Sequence, residues 1–303
     1  MSSPRAYGFV GLGKMGGPMA ANLARSGAEL VVFDSAGSTA RAPAGVRPSG
    51  SVAEVAAAAE TIFFSLPDGP VVLEVMGEVV AAADRVTRSV IDLSTVGIEA
   101  ARRASEQASG ADLVYVDAPV SGGRNGAIAG TIALMWAGPA ELLESHRPAL
   151  DAMAQNVFHV GTEAGQGQAL KLLNNFLSAT ATAATAEALL FGLTQGLELK
   201  TMLDVVNVST GRSHASEDKY VNRVLTGTFD SGFGTSLMAK DVRLFGEAVA
   251  VAGTANDLGT TVWGLWDAME AHAPAGDHTE IFTFLRDRPS RTPNPYQASR
   301  LGT

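Results

Sequence analysis

The sequence predicts an α/β domain with a mostly parallel sheet, followed by an all-α domain. Three observations carry this. Short apolar runs alternate with Ala-rich helical segments through the first half. No convincing strand follows Gly161. The 303 residues leave room for two domains at roughly 100–200 residues each.

The first strand is Tyr7–Val10, and the others are Leu30–Phe33, Thr61–Leu66, Ser89–Leu93 and Leu113–Val116, several rich in Val, Ile and Phe. Met15–Ser26, Ser51–Ala59 and Ile98–Ala108 read as helices between them, which implies a parallel sheet covered on both faces. A hairpin-like pair, Thr131–Ala137 and Val157–Val160, flanks a helix over Ala140–Met153. Beyond it, Gly165–Gln195 reads as one long helix. Met202–Ser209, Glu217–Leu225, Leu237–Val251 and Asn256–Glu270 follow as further helices, parted by Gly-containing turns. The boundaries drawn are 1–162, 163–290, and a polar, Pro-rich tail at 291–303 that reads as flexible. Trp263 and Trp266, at i, i+3 spacing, read as core or subunit interface, and Phe229 and Phe233 as core of the second domain.

Composition removes several function classes. There is no cysteine, so disulfides, thiolate metal sites and thiol nucleophiles are excluded. Net charge is −9 and the pI near 5.1, with no basic run, so nucleic acid is not an expected partner. The five histidines (His146, His159, His214, His272, His278) show no metal-site spacing. Stretches without an ionisable side chain read as too short, or too interrupted by Gly and Asn, to span a membrane. The N-terminal MSSPRAYGFVGLG lacks the apolar core of a secretory signal, and the expectation is a cytoplasmic protein.

The strand Tyr7–Val10 runs into GLGKMG, which sets Gly11, Gly13 and Gly16 in a GxGxxG pattern with Leu12 and Met15 between them. The first glycine permits the turn, the second lets backbone approach a pyrophosphate, and the third brings helix onto sheet. Asp34 closes the next strand 21 residues beyond Gly13, where a carboxylate accepts from a ribose 2′-hydroxyl and repels a 2′-phosphate. A Rossmann-type domain binding NAD follows, with NADP possible because Arg41 lies close by in sequence.

Between Glu163 and Glu187 the only ionisable side chain is Lys171, set among Leu170, Leu172, Leu173, Phe176 and Leu177. So apolar a helix is expected to be buried. Burial lowers an amine's pKa toward the working pH, which suits proton transfer. The competing reading is a lysine whose stem lies on apolar surface while its head reaches water. Asn174 and Asn175 sit one turn along. Ser121-Gly122-Gly123 offers a backbone concavity suited to an anion. Ser94-Thr95 follows a strand, where such a pair is also a common helix cap.

Four blocks stand in order: GLGKMGGPMAANLARSG, DAPVSGGRNGAIAGT (Asp117–Thr131), GQGQALKLLNN (Gly165–Asn175) and LMAKD (Leu237–Asp241). Together, over roughly residues 6 to 285, they resemble the β-hydroxyacid dehydrogenases, the family of 3-hydroxyisobutyrate dehydrogenase, tartronate semialdehyde reductase and, more distantly, 6-phosphogluconate dehydrogenase. The resemblance implies a Rossmann-type domain, a helical second domain and an active site between them. It implies that Lys171 is the general acid/base and that Asn175 helps hold substrate. Ser121, Gly122 and Gly123 would contact a substrate carboxylate, so a small carboxylate-bearing substrate is expected. Ser94 and Thr95 would meet the nicotinamide-side ribose, Leu66-Pro67 would line the cofactor crevice, and Lys240 would reach toward the cofactor. Asp241 reads as support for Lys240 or its helix. Arg212 and His214 occupy a loop that is a weaker substrate candidate. The family also implies a homodimer or homotetramer. The alternatives are an imine-type reductase, against which Lys171 argues, and a noncatalytic dinucleotide-binding module.

Overall fold

The computed structural model describes residues 6–288. Nine strands form one sheet: β1 (Ala6–Val10), β2 (Glu29–Phe33), β3 (Arg47–Pro48), β4 (Thr61–Phe64), β5 (Ser89–Asp92), β6 (Val114–Asp117), β7 (Val120–Ser121), β8 (Ile132–Ala137) and β9 (Ala154–Gly161). Their order is β3-β2-β1-β4-β5-β6-β8-β7, with β9 beside β8. Pairing is parallel from β3 through β6, and β8 meets β6 and β7 antiparallel. The helices of this half are α1 (Gly16–Arg25), α2 (Ser38–Arg41), α3 (Val52–Ala58), α4 (Gly69–Ala81), α5 (Ile98–Ser109), α6 (Gly123–Ala129) and α7 (Ala140–Met153).

Alternation along each central strand divides the core in two. Phe9, Val32, Phe63, Ile91 and Val116 join one apolar cluster with Met19, Leu23 and Trp136. Their neighbours Val10, Val31, Ile62, Phe64 and Val90 join the other with Val55, Val72, Met76 and Val79. Successive side chains of a strand point to opposite faces, so strands buried on both sides read as continuous apolar runs.

The expected hairpin is corrected. Strands β8 and β9 run parallel, Leu134 opposite Val157 and Met135 opposite Phe158, with α7 between them. A helix that carries the chain back along the sheet makes a crossover, not a reversal. Helix α4 lies where no element was assigned, capped by Asp68, whose side chain accepts from Val71 N–H at 3.0 Å.

The second half contains α8 (Gln166–Thr194), α9 (Leu199–Val206), a π-helical segment Ala215–Val224, α10 (Thr235–Ala252), α11 (Asp257–His272) and α12 (Ile281–Asp287). By length and composition α8 is apolar enough to cross a membrane, with a window of mean hydropathy 1.4 of which 33% is buried. The longest run in α8 without an ionisable side chain, residues 172–186 between Lys171 and Glu187, is 15 residues, short of a span as expected; the helix as a whole passes on average hydropathy because Ala and Leu dominate it. Leu172, Ala179, Ala183, Ala186 and Leu189 form its buried stripe, while Leu173, Leu177 and Phe191 are exposed.

Contacts divide the chain into two compact units. One takes residues up to Phe176 together with Lys240–Trp263, the other Leu177–Ala239 with Gly264 onward. The second has its own core, in which Leu189, Leu203, Tyr220, Val224 and Phe282 are buried and Phe229 packs against them. Trp266 is fully buried, and Phe233 stands edge-on to His278. The tail at 291–303 lies outside the described residues.

Candidate active site

The site is built at the C-terminal ends of the parallel strands, where open α/β sheets take their ligands. After β1, Gly11 adopts φ 95°, and a Cβ there would run into the Ser65 carbonyl oxygen. A Cβ on Gly16 would strike the Gly11 carbonyl, so α1 packs against its own loop. Above Gly13 there is nothing within 4 Å of the Cβ position. The loop thus has two glycines forced by close packing and one left open, as a pyrophosphate at a helix N-terminus requires. Met15 stands at the N-cap of α1, and Leu12 is buried.

Asp34 ties this loop to β2. Its carboxylate accepts from Leu12 N–H at 2.7 Å and Ala36 N–H at 2.8 Å, and Arg41 Nη1 lies 3.2 and 3.3 Å from its two oxygens. These residues fit an adenosine ribose beside Asp34, with Arg41 already committed to the carboxylate.

The loops after β4 and β5 are joined to each other. Leu66 N–H donates to Ser94 Oγ at 2.8 Å, and Ser94 N–H donates to Asp92 Oδ1 at 2.9 Å. Lys240 Nζ, on α10, donates to the carbonyls of Thr95 at 2.5 Å and Pro67 at 3.3 Å. So Leu66, Pro67, Ser94, Thr95 and Lys240 form one connected group.

Lys171 is 7% exposed. Burial brings its ammonium down to about 8, the nearby Lys240 charge adds to that, and the Asp241 carboxylate opposes it. Among the described residues no hydrogen bond or ion pair engages its Nζ. One turn on, Asn175 Nδ2 donates to Asp241 Oδ2 at 2.5 Å, while Asp241 Oδ1 lies 3.3 Å from Lys240 Nζ. Asn174 Nδ2 reaches Ser121 Oγ at 3.4 Å and Asn175 Oδ1 at 3.1 Å. Ser121 ends β7, and Gly122 and Gly123 after it both have positive φ. The first unit therefore holds Lys171, Asn175, Asp241, Lys240 and Ser121 in one neighbourhood.

Arg212 and His214 belong to the second unit. Arg212 is exposed and pairs with Glu217 at 3.4 Å. Residue-by-residue reading missed three buried groups. Asp92 accepts from Tyr115 OH at 2.7 Å, and burial pushes its carboxyl up. Gln168 takes Val96 N–H at 2.9 Å and Gly97 N–H at 3.2 Å, and gives its amide to Ser94 O at 3.0 Å. Asp117, fully buried, accepts from Gly165 N–H at 3.0 Å and Gln168 N–H at 2.8 Å. A signal for Asp117 was present, since it opens the DAPVSGG block.

Residues 6–161 match the NAD-binding domain of 6-phosphogluconate dehydrogenase, and residues 165–285 match the NAD-binding domain of NADP-dependent 3-hydroxyisobutyrate dehydrogenase. Among curated relatives, 2-(hydroxymethyl)glutarate dehydrogenase of Eubacterium barkeri is 38% identical over 80% of this chain and 81% of its own. NAD-dependent L-serine dehydrogenase of Pseudomonas aeruginosa is 35% identical over 85% and 90%. Among solved structures, 3-hydroxyisobutyrate dehydrogenase of Mycobacterium tuberculosis with L-serine has a TM-score of 0.85 at 33% identity, covering 94% of this chain and 100% of that one. With the glycine loop, the Asp34 anchor and the Lys171 neighbourhood in place, the chain belongs to the β-hydroxyacid dehydrogenase family, as an NAD(P)-dependent oxidoreductase of the 3-hydroxyisobutyrate dehydrogenase type that acts on CH–OH donors.

Proposed function

We propose that the protein interconverts a short β-hydroxy acid and its semialdehyde, with Lys171 as general acid/base and NAD as the preferred dinucleotide. The observation that carries this is the Lys171 amine: buried, without a hydrogen-bond partner among the described residues, and brought to about 8, where it both takes and gives a proton near neutral pH. Gly11, Leu12, Gly13, Met15, Gly16 and Asp34 would hold the adenosine and pyrophosphate side. Leu66, Pro67, Ser94, Thr95 and Lys240 would hold the nicotinamide side. When bound, the dinucleotide supplies the hydride acceptor or donor.

The chain's own residues do the rest. In oxidation, neutral Lys171 takes the hydroxyl proton as the C–H hydride departs. In reduction, its ammonium returns that proton to the forming alkoxide. Asn175, held through Asp241, orients the substrate. The amides at Ser121, Gly122 and Gly123 suit a carboxylate.

The names of the relatives narrow the substrate. Hydroxymethylglutarate, 3-hydroxyisobutyrate and serine each carry a CH2OH on the carbon that bears a carboxylate. We infer the same arrangement here, with the remaining substituent unassigned. The exposed Leu173, Leu177 and Phe191 on α8 suit a homodimer or homotetramer. Imine reductases share the fold at 15–19% identity, and Lys171 favours the hydroxy acid.

A panel of 2-substituted 3-hydroxypropanoates and their semialdehydes, followed at the reduced-nicotinamide absorbance, tests the reading. Turnover with NAD is expected for at least one. Dinucleotide binding without turnover across the panel would favour the noncatalytic module, and turnover of cyclic imines alone would favour the reductase.

A further inference from the structure

We propose that Asp117 is the positioning residue that fixes where Lys171 stands, its carboxylate clasping the first turn of the helix that carries the lysine. This rests on the reading of Lys171 as general acid/base. The clasp has two sides. Oδ1 accepts from Gly165 N–H at 3.0 Å and Oδ2 from Gln168 N–H at 2.8 Å. These are amides that a helix start leaves without partners, at the positive end of the helix dipole.

The two glycines of the Gly165-Gln166-Gly167 run follow from the clasp. Gly165, whose amide meets the carboxylate, takes φ 96°, a backbone conformation that favours glycine. A Cβ on Gly167 would stand 2.7 Å from Asp117 Oδ2, 2.8 Å from Met135 O and 2.9 Å from Asp117 O. The helix therefore lies directly on the strand ends, where no side chain fits. Gln168, the second clasped residue, is three positions before Lys171 and so one turn away on a neighbouring face. Its own amide group is bonded to Ser94, Val96 and Gly97. One carboxylate thus sets the start of α8 and, through Gln168, ties it to the loop of Ser94 and Thr95.

The carboxylate is kept at a cost to stability. Asp117 stands opposite Asp92 in the sheet register, and burial, with the Asp92 charge added, pushes its carboxyl up to about 6. The titratable groups facing it are Asp92 on β5 and Tyr115 on its own strand. From α8 come backbone amides, from β8 the Met135 carbonyl lies nearby, and Arg102 of α5 approaches Gly165. A buried anion beside a second carboxylate is destabilising compared with a neutral amide. Such residues are retained where they serve function.

Two single variants, Asp117→Asn and Gly165→Ala, loosen the clasp from opposite sides and are compared with Lys171→Met and the Asp117→Asn/Lys171→Met double variant. The readouts are kcat, its pH profile, and the Kd for NADH by fluorescence. Both single variants are expected to lower kcat roughly 10- to 100-fold, as a misplacement near 1 Å does. Their Kd for NADH should stay within about twofold of wild type. The ionisation near pH 6 should vanish from the kcat profile of Asp117→Asn. That change should add less than about twofold to the loss in Lys171→Met, since it acts through the lysine. Wild-type kcat in Asp117→Asn overturns the proposal. So does loss of NADH binding in both single variants, which would make the clasp a support of the fold alone. Full turnover in Lys171→Met instead removes the reading of the lysine itself.

Discussion

Replacing Lys171 with Met should stabilise the protein while abolishing its chemistry. Burial brings the Lys171 ammonium from the ordinary 10.5 down to about 8, and Asp241 recovers only part of the cost. At about 1.36 kcal/mol per pH unit, the charged form is about 3 kcal/mol worse placed in the folded protein than the neutral one. Below pH 8 the lysine is charged in both states, and the folded state carries the whole penalty. From about pH 8 to 10.5 the folded protein has released the proton while the unfolded chain still holds it. Stability therefore rises with pH through that window and is level beyond it. Methionine has a similar length and no charge, so it should gain about 3 kcal/mol at pH 7 and show no such rise. The assay is urea unfolding of both proteins from pH 7 to 10.5, read as the difference between them. Taking the difference cancels Lys219, which burial also brings to about 8. A constant difference across this range, or a less stable Met variant at pH 7, would show that the folded protein carries no such penalty at Lys171.

Three other outcomes follow. Oxidation should rise with pH to a plateau above about 8 while reduction falls over the same interval, and Asp241→Asn should move both profiles to lower pH by removing the charge that holds the lysine up. Asp34→Ser frees Arg41 from its 3.2 Å ion pair, and the preference for NAD over NADP, as a ratio of kcat/KM values, should fall at least about tenfold. Lys240→Met removes the donor to Thr95 O and Pro67 O, and the Kd for NADH should rise about tenfold, the scale of one hydrogen bond from a charged group.

The doubly wound sheet was legible because strands buried on both faces must be largely apolar, as Glu29–Phe33 and Thr61–Phe64 are but for one residue each. Pairing direction was not legible for β8 and β9. An apolar run does not state which way its neighbour runs, and that direction came from how α7 crosses the sheet. The π-helical segment Ala215–Val224 escaped for a similar reason, since its side-chain spacing resembles a helix while its hydrogen bonds set the type. The burial of Lys171 could be read from its isolation among leucines. The partners around it could not. Asp241 meets Asn175 across 66 residues, and Asp117 meets Gly165 across 48. Gly165 entered only as the start of a helix and as part of a family motif, and Gly167 only through that motif. Their physical reason, a carboxylate clasped by two amides, needed the strand end and helix start together in space.

Turnover by Lys171→Ala, with and without an added small primary amine, decides whether the buried amine moves the proton. NADH should bind as in wild type, turnover should fall roughly 10²- to 10⁴-fold, and it should recover partly in proportion to the amine's free base. Turnover equal to wild type without any amine would contradict that role of Lys171.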